Sequence, residues 1–388
     1  MTLMTRKIFY VTGTRADFGL MAATLQGIAA HPGLCLQVAV TGMHLSAQYG
    51  DTVHEVEAAL PSGSIVARIP VDIDERSPSA MSRAVGQTLL GLTAAMTASR
   101  PHIVLLLGDR GEMLAGAIAA LHLGIPIAHL HGGERTGTVD DAIRHAITKL
   151  SHWHFVATEA SRERVVRLGE RPDCVWVTGA PSLDGLTAIA EAVPRADLLA
   201  RLGLPAHARY ALVLFHPVVQ EAQSAVAQTQ ALVQALKTVS ETAALHVVWL
   251  APNADAGSGN ILSVLHTAGE AWPALQTLTH LPRDAYVQAL AQAEVLVGNS
   301  SSGILEAASL GTPVVNIGNR QRNRERNANT LDCTADVAGI TVALQQALAH
   351  GRYAVGNRYG DGHSSPRIAR LLADTPIASD LLDKVNGY

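Results

Sequence analysis

The sequence predicts an α/β protein made of two doubly wound domains. Short apolar segments of strand length alternate with longer helical patterns, and strands that are apolar on both faces are typical of parallel sheets covered by helices. The pattern starts again near residue 210. A chain of 388 residues also exceeds one ordinary core, since domains typically run to about 100–200 residues.

The first half reads as an alternation of six strands and four helices. Strands are predicted at 7–13, 34–42, 102–109, 125–132, 153–158 and 174–179. Helices are predicted at 22–30, 79–99, 112–124 and 140–151, and residues 43–78 are interpreted as a polar, proline-containing connection.

The second half repeats this alternation after a linker candidate at 182–208. Strands are predicted at 210–217, 245–253, 275–282, 294–303 and 312–318. Helices are predicted at 219–238, before Trp272, at 283–292 and from about Gly303, and the remainder is expected to be mostly helical. The predicted domains are therefore 1–183 and 184–365, followed by a helical segment at 366–388.

Composition narrows the functional class. Hydrophobic residues make up 48% and charged residues 16%, which is typical of a soluble globular protein, and no apolar run approaches the ~20 residues of a membrane span. A formal net charge of −4 gives no electrostatic reason to expect nucleic acid or a membrane surface as partner. Three widely spaced cysteines predict reduced thiols in a cytoplasmic protein.

Reactive residues follow the predicted strands of the first half directly. In doubly wound sheets, ligands bind outside the carboxyl ends of the strands. Arg15 follows a glycine in TGTRADFG, where an arginine and free helix N–H groups suit a phosphate. Asp109 and Arg110 follow the strand at 102–109. Either turn could instead only cap a helix. The dinucleotide pattern G-x-G-x-x-G is absent, so no nicotinamide cofactor is expected.

The segment 129–155 carries five histidines and several acids. His131 and Glu134 flank Gly132 and Gly133, and Asp140 begins the next helix. A metal site, an acid–base site and a capped helix are all open interpretations. No distant residue has ligand spacing, so we predict no metal. Carboxylates beside imidazoles favour proton transfer, and the glycine pair is expected to let a substrate approach the chain.

Three features of the second half suit a nucleotide. His216 follows the strand at 210–217, and Ser300 and Ser301 lead into a helix that carries Glu306. Serine hydroxyls and helix N–H groups suit a diphosphate, and the carboxylate suits a ribose diol. The arginine-rich loop 318–327 is either a solvated basic loop or an anion contact.

Taken in order, these segments resemble the UDP-N-acetylglucosamine 2-epimerases, most closely the hydrolysing branch that feeds sialic and related nonulosonic acid synthesis. The resemblance covers residues 7–330 and rests on TGTRADFG, LLGDR, HGGERTGTVDDAIRHAITKLSH, FHP and GNSSSGILEAASLGTPVVNIGNRQ. It implies a GT-B-like fold, with two Rossmann-like domains and a UDP-sugar in the cleft between them. It also implies a homodimer or homotetramer, no cofactor, and a C-terminal helix that returns to the first domain.

The resemblance further implies residue roles. UDP-sugar contacts carried over to this sequence are Arg15, Arg110, Asn253, His280, Tyr286 (near uracil), Ser300, Ser301, Glu306 (ribose) and Arg320. Asp109, Asp140 and His216 match the catalytic constellation. His131 stands where the sialic-acid enzymes carry a glutamate, so His131 and Glu134 join the candidates for proton transfer.

The implied reaction begins when a base removes the C2 proton as UDP leaves C1, which gives a 2-acetamidoglycal. Hydration then gives a free sugar of the N-acetylmannosamine type. Three alternatives stay open at this point: a non-hydrolysing epimerase, a GT-B glycosyltransferase, and a catalytically silent UDP-sugar sensor.

Overall fold

A computed structural model describes residues 5–73, 77–137, 140–252 and 257–387. The chain divides into two compact units. The first comprises Met1–Glu134, Asp140–Asp184 and Tyr359–Tyr388, and the second comprises Arg135–Val139 and Gly185–Arg358. Each unit is built around one parallel β-sheet.

The first unit has a seven-stranded sheet in the order β3-β2-β1-β4-β5-β6-β7. Its strands are β1 (Arg6–Thr12), β2 (Leu34–Thr41), β3 (Ile65–Ile69), β4 (Ile103–Leu107), β5 (Ile127–Leu130), β6 (Trp153–Val156) and β7 (Val175–Val177). Its helices up to residue 184 are α1 (Arg15–Ala30), α2 (Val53–Ala59), α3 (Pro78–Ser99), α4 (Gly111–His122), α5 (Asp140–Leu150) and α6 (Glu159–Arg167).

Alternate residues of the central strand enter two separate cores. Ile8 and Tyr10 pack into the core that contains α1, while Phe9 and Val11 pack into the core that contains α3 and α4. Successive side chains of a strand point to opposite faces, so a strand buried on both sides must be apolar throughout.

The second unit has a six-stranded sheet in the order β10-β9-β8-β11-β12-β13. Its strands are β8 (Arg209–Leu214), β9 (Leu245–Leu250), β10 (Leu275–Leu278), β11 (Val295–Gly298), β12 (Val314–Ile317) and β13 (Thr330–Cys333). Its helices are α7 (Leu186–Glu191), α8 (Arg195–Arg201), α9 (Ala225–Ala243), α10 (Ser258–Ala271), α11 (Arg283–Gln292), α12 (Ser301–Leu305) and α13 (Val337–His350). In both sheets the order reverses beside the first strand, as in Rossmann folds.

The last helix, α14 (Ser364–Asp374), belongs to the first unit and packs on α1. The Thr24 and Ser365 hydroxyls lie 2.8 Å apart across this contact. The carboxylate of Asp184 accepts the backbone N–H of Ser364 at 2.9 Å. A carboxylate at this end of a helix satisfies backbone donors that have no partner within the helix.

The predicted fold class is confirmed, with two α/β units that each hold a parallel sheet. Two strands were missed, β3 and β13, because they lie at the sheet edges and are only partly buried, so neither has a continuous apolar run. The helix predicted from residue 219 begins as a 3₁₀ segment and becomes α-helical at Ala225. No helix in the described ranges is long and apolar enough to cross a membrane.

Candidate functional site

The candidates in the first unit lie past the carboxyl ends of three neighbouring strands. Arg15 follows β1, Asp109 and Arg110 follow β4, and His131 and Glu134 follow β5. Because β1, β4 and β5 are adjacent in the sheet, these residues share one edge of it. This is the edge at which doubly wound sheets bind their ligands.

Arg144 on α5 connects these strand ends, although it was not among the site residues predicted from the sequence. Its side chain is 1% exposed. Nη2 donates to Oδ2 of Asp109, and Nη1 donates to Oδ1 of Asp141 at 2.7 Å and to the carbonyl of Glu134 at 3.1 Å. The signal that could have found it is an arginine one turn after two acids on a helix that begins at the site.

Four carboxylates surround this guanidinium. Burial alone would lower the pKa of Arg144, but Asp109, Glu134, Asp141 and Asp140 together raise it above its usual value. The guanidinium therefore stays charged within a group of acids. Carboxylates positioned by a fixed cation are suited to proton transfer.

His131 and Glu134 contact each other within the turn after β5. Nδ1 of His131 lies against Oε1 of Glu134, whose side chain is 2% exposed, while that of His131 is 12% exposed. The backbone of His131 is left-handed, with φ of +61°. Left-handed backbone is uncommon outside glycine.

The prediction that the glycine pair makes room for a substrate is wrong. A Cβ on Gly133, whose φ is +76°, would lie 2.3 Å from the carbonyl oxygen of Ser161 on α6. One on Gly132 would lie 3.1 Å from the Thr148 hydroxyl and 3.2 Å from Nδ1 of His129. Close packing inside the unit therefore requires glycine at position 133 and leaves little room for a side chain at position 132.

His129 has a structural role. Its Nε2 lies 2.7 Å from the carbonyl of Gly108 and its Nδ1 lies 3.2 Å from the hydroxyl of Thr148. Burial is the main cause that lowers the pKa of His129 to about 3, so its imidazole is neutral. With both ring nitrogens engaged, it joins β4, β5 and α5 instead of reaching a ligand.

The turn after β1 is held by a buried carboxyl. Oδ2 of Asp17 accepts the N–H groups of Gly13 at 3.0 Å and Thr14 at 2.9 Å. Burial raises the pKa of Asp17 to about 6, although the bond from the Thr12 hydroxyl opposes that rise. Arg15 is half-buried directly after this turn. Asp17 thus fixes the loop from which Arg15 projects.

In the second unit, His216, Asn299 and Arg320 lie after three adjacent strands, β8, β11 and β12. The N–H of His216 donates to Oδ1 of Asn299 at 2.8 Å, and Nδ2 of Asn299 donates back to the His216 carbonyl at 2.8 Å. Nη1 of Arg320 donates to the Asn299 carbonyl at 3.1 Å. Burial, with a smaller effect from Arg320, lowers the pKa of His216 to about 3, so its ring is neutral.

The serine segment after β11 is linked to α11. The hydroxyl of Ser302 lies 3.2 Å from that of Ser300 and 2.5 Å from the phenol oxygen of Tyr286. Burial raises the pKa of Tyr286 well above its usual value, so the phenol stays protonated. Glu306 is fully buried, with Oε1 2.7 Å from Nη2 of Arg283.

The remaining predicted residues of the second unit are Ser301, His280 and Asn253. Ser301 is the first residue of α12 and is half-buried beside Ser300. His280 follows β10, two strands away from β8 along the sheet. Asn253 lies outside the described residues.

The chain matches the protein family described as UDP-N-acetylglucosamine 2-epimerase over residues 26–373. It is 45% identical to the UDP-N,N'-diacetylbacillosamine 2-epimerase (hydrolyzing) of Legionella pneumophila, with 99% of this chain and 100% of that protein covered. It is 32% identical to the UDP-N-acetylglucosamine 2-epimerase of Neisseria meningitidis, with 95% of each covered. Among solved structures, its fold is similar to that of the Methanocaldococcus jannaschii UDP-GlcNAc 2-epimerase in complex with UDP-GlcNAc and UDP. That comparison has a TM-score of 0.79 at 17% identity and covers 94% of this chain and 99% of the other.

These matches extend over nearly the whole chain and confirm the resemblance found in its motifs. The chain is an enzyme of the UDP-N-acetylglucosamine 2-epimerase family and belongs with its hydrolysing members.

Proposed function

We propose that this enzyme hydrolyses a UDP-2-acetamido sugar with inversion at C2, releasing UDP and the free epimeric sugar. The observation that carries this proposal is the group of four carboxylates around the buried Arg144 guanidinium, at the sheet edge where a ligand is expected. The reaction moves protons at C2 and at water, and it needs acids and bases that are held in place.

The substrate we propose is UDP-N,N'-diacetylbacillosamine, because the relative that is 45% identical is named as a 2-epimerase of that sugar nucleotide. UDP-N-acetylglucosamine is the second candidate, supported by the relative that is 32% identical. The free product would then be a 2,4-diacetamido sugar in the first case and N-acetylmannosamine, a precursor of sialic acid, in the second.

Two steps account for the chemistry. First, a base of the first unit takes the C2 proton while the bond between C1 and the UDP oxygen breaks, and a C1–C2 double bond forms. Second, a water oxygen adds to C1 and loses a proton to a base, while a proton is delivered to C2 from the opposite face. Asp109 and Asp140, with His131 and Glu134, are the candidates for these transfers, and Arg144 holds the Asp109 carboxylate in place.

The departing UDP is assigned to groups that hydrogen-bond or carry positive charge. We assign the diphosphate to Ser300 and Ser301, to Arg320 from the same unit, and to Arg15 and Arg110 from the first unit. Removing one preorganised donor of this kind typically costs about 3–4 kcal/mol of transition-state stabilisation. Neutral His216 suits a hydrogen bond to an uncharged group.

The uridine half is assigned to Tyr286, His280, Asn253 and Glu306. Tyr286 would lie near the uracil ring. Glu306, which is fully buried beside Arg283, is assigned to the ribose diol by the same resemblance. By the same resemblance we propose a homodimer or homotetramer, which light scattering of the purified protein would test.

The decisive experiment follows each candidate substrate by NMR in D₂O. We expect free UDP and a free sugar that carries deuterium at C2. A UDP-sugar epimer that stays intact would indicate a non-hydrolysing epimerase. A sugar transferred to an acceptor without C2 exchange would indicate a glycosyltransferase, and binding without turnover would indicate a sensor. Each of these three results would overturn the proposal.

A further inference from the structure

The turn after β5 places a histidine where the backbone favours glycine. His131 has φ of +61°, a left-handed conformation that is unfavourable for a residue other than glycine. The next two residues are glycines, at which a side chain would crowd neighbouring groups of the unit. The turn therefore carries glycine at the positions where no side chain is used. What the histidine adds at position 131 is its imidazole.

The turn holds that imidazole in one orientation. The N–H of His131 donates to the carbonyl of Phe155 at 3.1 Å, which fixes the start of the turn to β6. The carbonyl of Glu134 accepts Nη1 of Arg144 at 3.1 Å, which fixes its end to α5. Between these anchors, Nδ1 of His131 contacts the carboxylate of Glu134.

The two members of this pair differ in access to solvent. The Glu134 side chain is almost completely covered, whereas the His131 side chain keeps 12% of its surface exposed. Within the described residues, Nε2 of His131 has no hydrogen-bond partner. His129, two residues earlier, has both nitrogens engaged by protein groups. The imidazole of His131 is therefore the part of the pair that can meet a substrate.

We propose that His131 and Glu134 form a catalytic dyad in which Nε2 of His131 takes the proton from C2 of the sugar as the C1–O bond to UDP breaks. The Glu134 carboxylate accepts Nδ1–H, which fixes the tautomer that leaves Nε2 unprotonated and stabilises the imidazolium formed when Nε2 takes the proton. His131 is then the catalytic residue and Glu134 a positioning residue. This assignment rests on the proposed function.

The test is a double-mutant cycle on UDP release and on C2 deuterium exchange. His131→Asn is the suitable variant because asparagine tolerates left-handed backbone, and Glu134→Gln keeps the size of the side chain but removes its charge. We expect kcat to fall by about 10²–10⁴-fold for His131→Asn, the usual contribution of a general base. For Glu134→Gln we expect a fall of about 10–10³-fold with KM nearly unchanged.

The double variant decides whether Glu134 acts through His131. The proposal requires its kcat to equal that of His131→Asn, because effects of residues that act as a unit do not add. If Glu134→Gln lowered kcat by the same factor in both backgrounds, or raised KM instead, the dyad would be refuted. Unchanged circular dichroism and UDP affinity of the variants would show that folding and nucleotide binding are intact.

A second measurement uses the wild-type enzyme, so it does not depend on whether an active-site variant folds. ¹⁵N NMR of histidine-labelled wild-type enzyme should show the His131 ring protonated at Nδ1 and unprotonated at Nε2, and the opposite tautomer would refute the dyad. The proposed function is tested separately by the wild type. If wild type released no UDP from either substrate, the proposed function would fail. If it did release UDP while His131→Asn kept full kcat, only the dyad would fail.

Discussion

Replacing Glu170 with glutamine should loosen the contact between the C-terminal segment and the rest of the first unit. The Glu170 side chain is 3% exposed and contacts three cationic or imidazole groups. Its Oε1 accepts Nζ of Lys149 at 2.7 Å, and its Oε2 lies 3.0 Å from Nε2 of His154 and 2.7 Å from Nζ of Lys384. Nζ of Lys384 also donates to the Thr148 carbonyl at 3.2 Å, so the group ties the C-terminal segment to α5.

The magnitude follows from the burial of these partners. Breaking a buried ion pair by removing one charge typically costs about 3–5 kcal/mol. Lys149 and Lys384 both keep part of their surface in water and can be resolvated, so we expect about 2–4 kcal/mol for Glu170→Gln. For a domain of roughly 200 residues, 1 kcal/mol shifts Tm by about 2–4 °C, so Tm should fall by about 4–16 °C.

The effect should also depend on pH. Burial alone would raise the pKa of Glu170, but the bonds from His154 and the two lysines lower it to about 2, from 4.5 in an unfolded chain. A lowered carboxyl pKa stabilises the fold above the unfolded pKa, and this stabilisation is lost as the pH falls toward the folded value. The difference in Tm between wild type and Glu170→Gln should therefore be constant above pH 5 and shrink between about pH 4.5 and 2.

Calorimetry from pH 3 to pH 7 is the assay. Glu163→Gln is a matched control on α6, because the Glu163 carboxylate is 59% exposed and lies 3.9 Å from Arg167. We expect its Tm to equal that of wild type, since exposed pairs of this kind contribute little. A Glu170→Gln protein that melts within 2 °C of wild type at pH 7, or a difference that persists unchanged at pH 3, would refute the reasoning.

Three further substitutions test the site and the fold. Asp109→Asn should lower kcat for UDP release by about 10²–10⁴-fold while calorimetric UDP affinity stays the same, since it removes a carboxylate that a buried arginine positions. The buried carboxyl of Asp17 has a pKa raised to about 6, so the stability of wild type relative to Asp17→Asn should decline as pH rises from about 4 to 6 in urea titrations. Gly298→Ala should destabilise by at least about 2–4 kcal/mol, because φ is +137° and a Cβ would lie 2.0 Å from the Leu214 carbonyl, whereas Gly259→Ala, with open space around it, should not.

The sequence predicted positions along the chain well, because those positions depend on local patterns. A strand buried on both faces needs a continuous apolar run, so β1, β4 and β8 could be read directly. Residues just past such strands must lie at the carboxyl edge of their sheet. The positions of Asp109 and His216, each at the edge of its own sheet, could therefore be predicted from the sequence.

Partners could not be predicted in this way, because they depend on contacts between distant segments. Asp109 and Arg144 are 35 residues apart, and nothing in the local pattern of either indicates the other. The same limit explains the glycine pair. A glycine is equally consistent with room for a substrate and with close packing, and only the position of Ser161 on α6 decides between them at Gly133.

The histidine at position 131 shows how both kinds of information combine. The resemblance placed an imidazole where the sialic-acid enzymes carry a glutamate, and on sequence grounds that change left the proton-transfer group open. The structure shows that the carboxylate of Glu134 lies against that imidazole. An imidazole supported by a carboxylate can accept a proton as a lone carboxylate can, although the ring differs from a carboxylate in shape. Histidine in place of glutamate at position 131 is therefore consistent with the same proton transfer at C2 of a sugar bound in a different position. A His131→Glu variant should differ from wild type mainly in its substrate preference. We expect that variant to keep measurable turnover while its ratio of kcat/KM between the two candidate substrates changes, and an unchanged ratio would contradict this view.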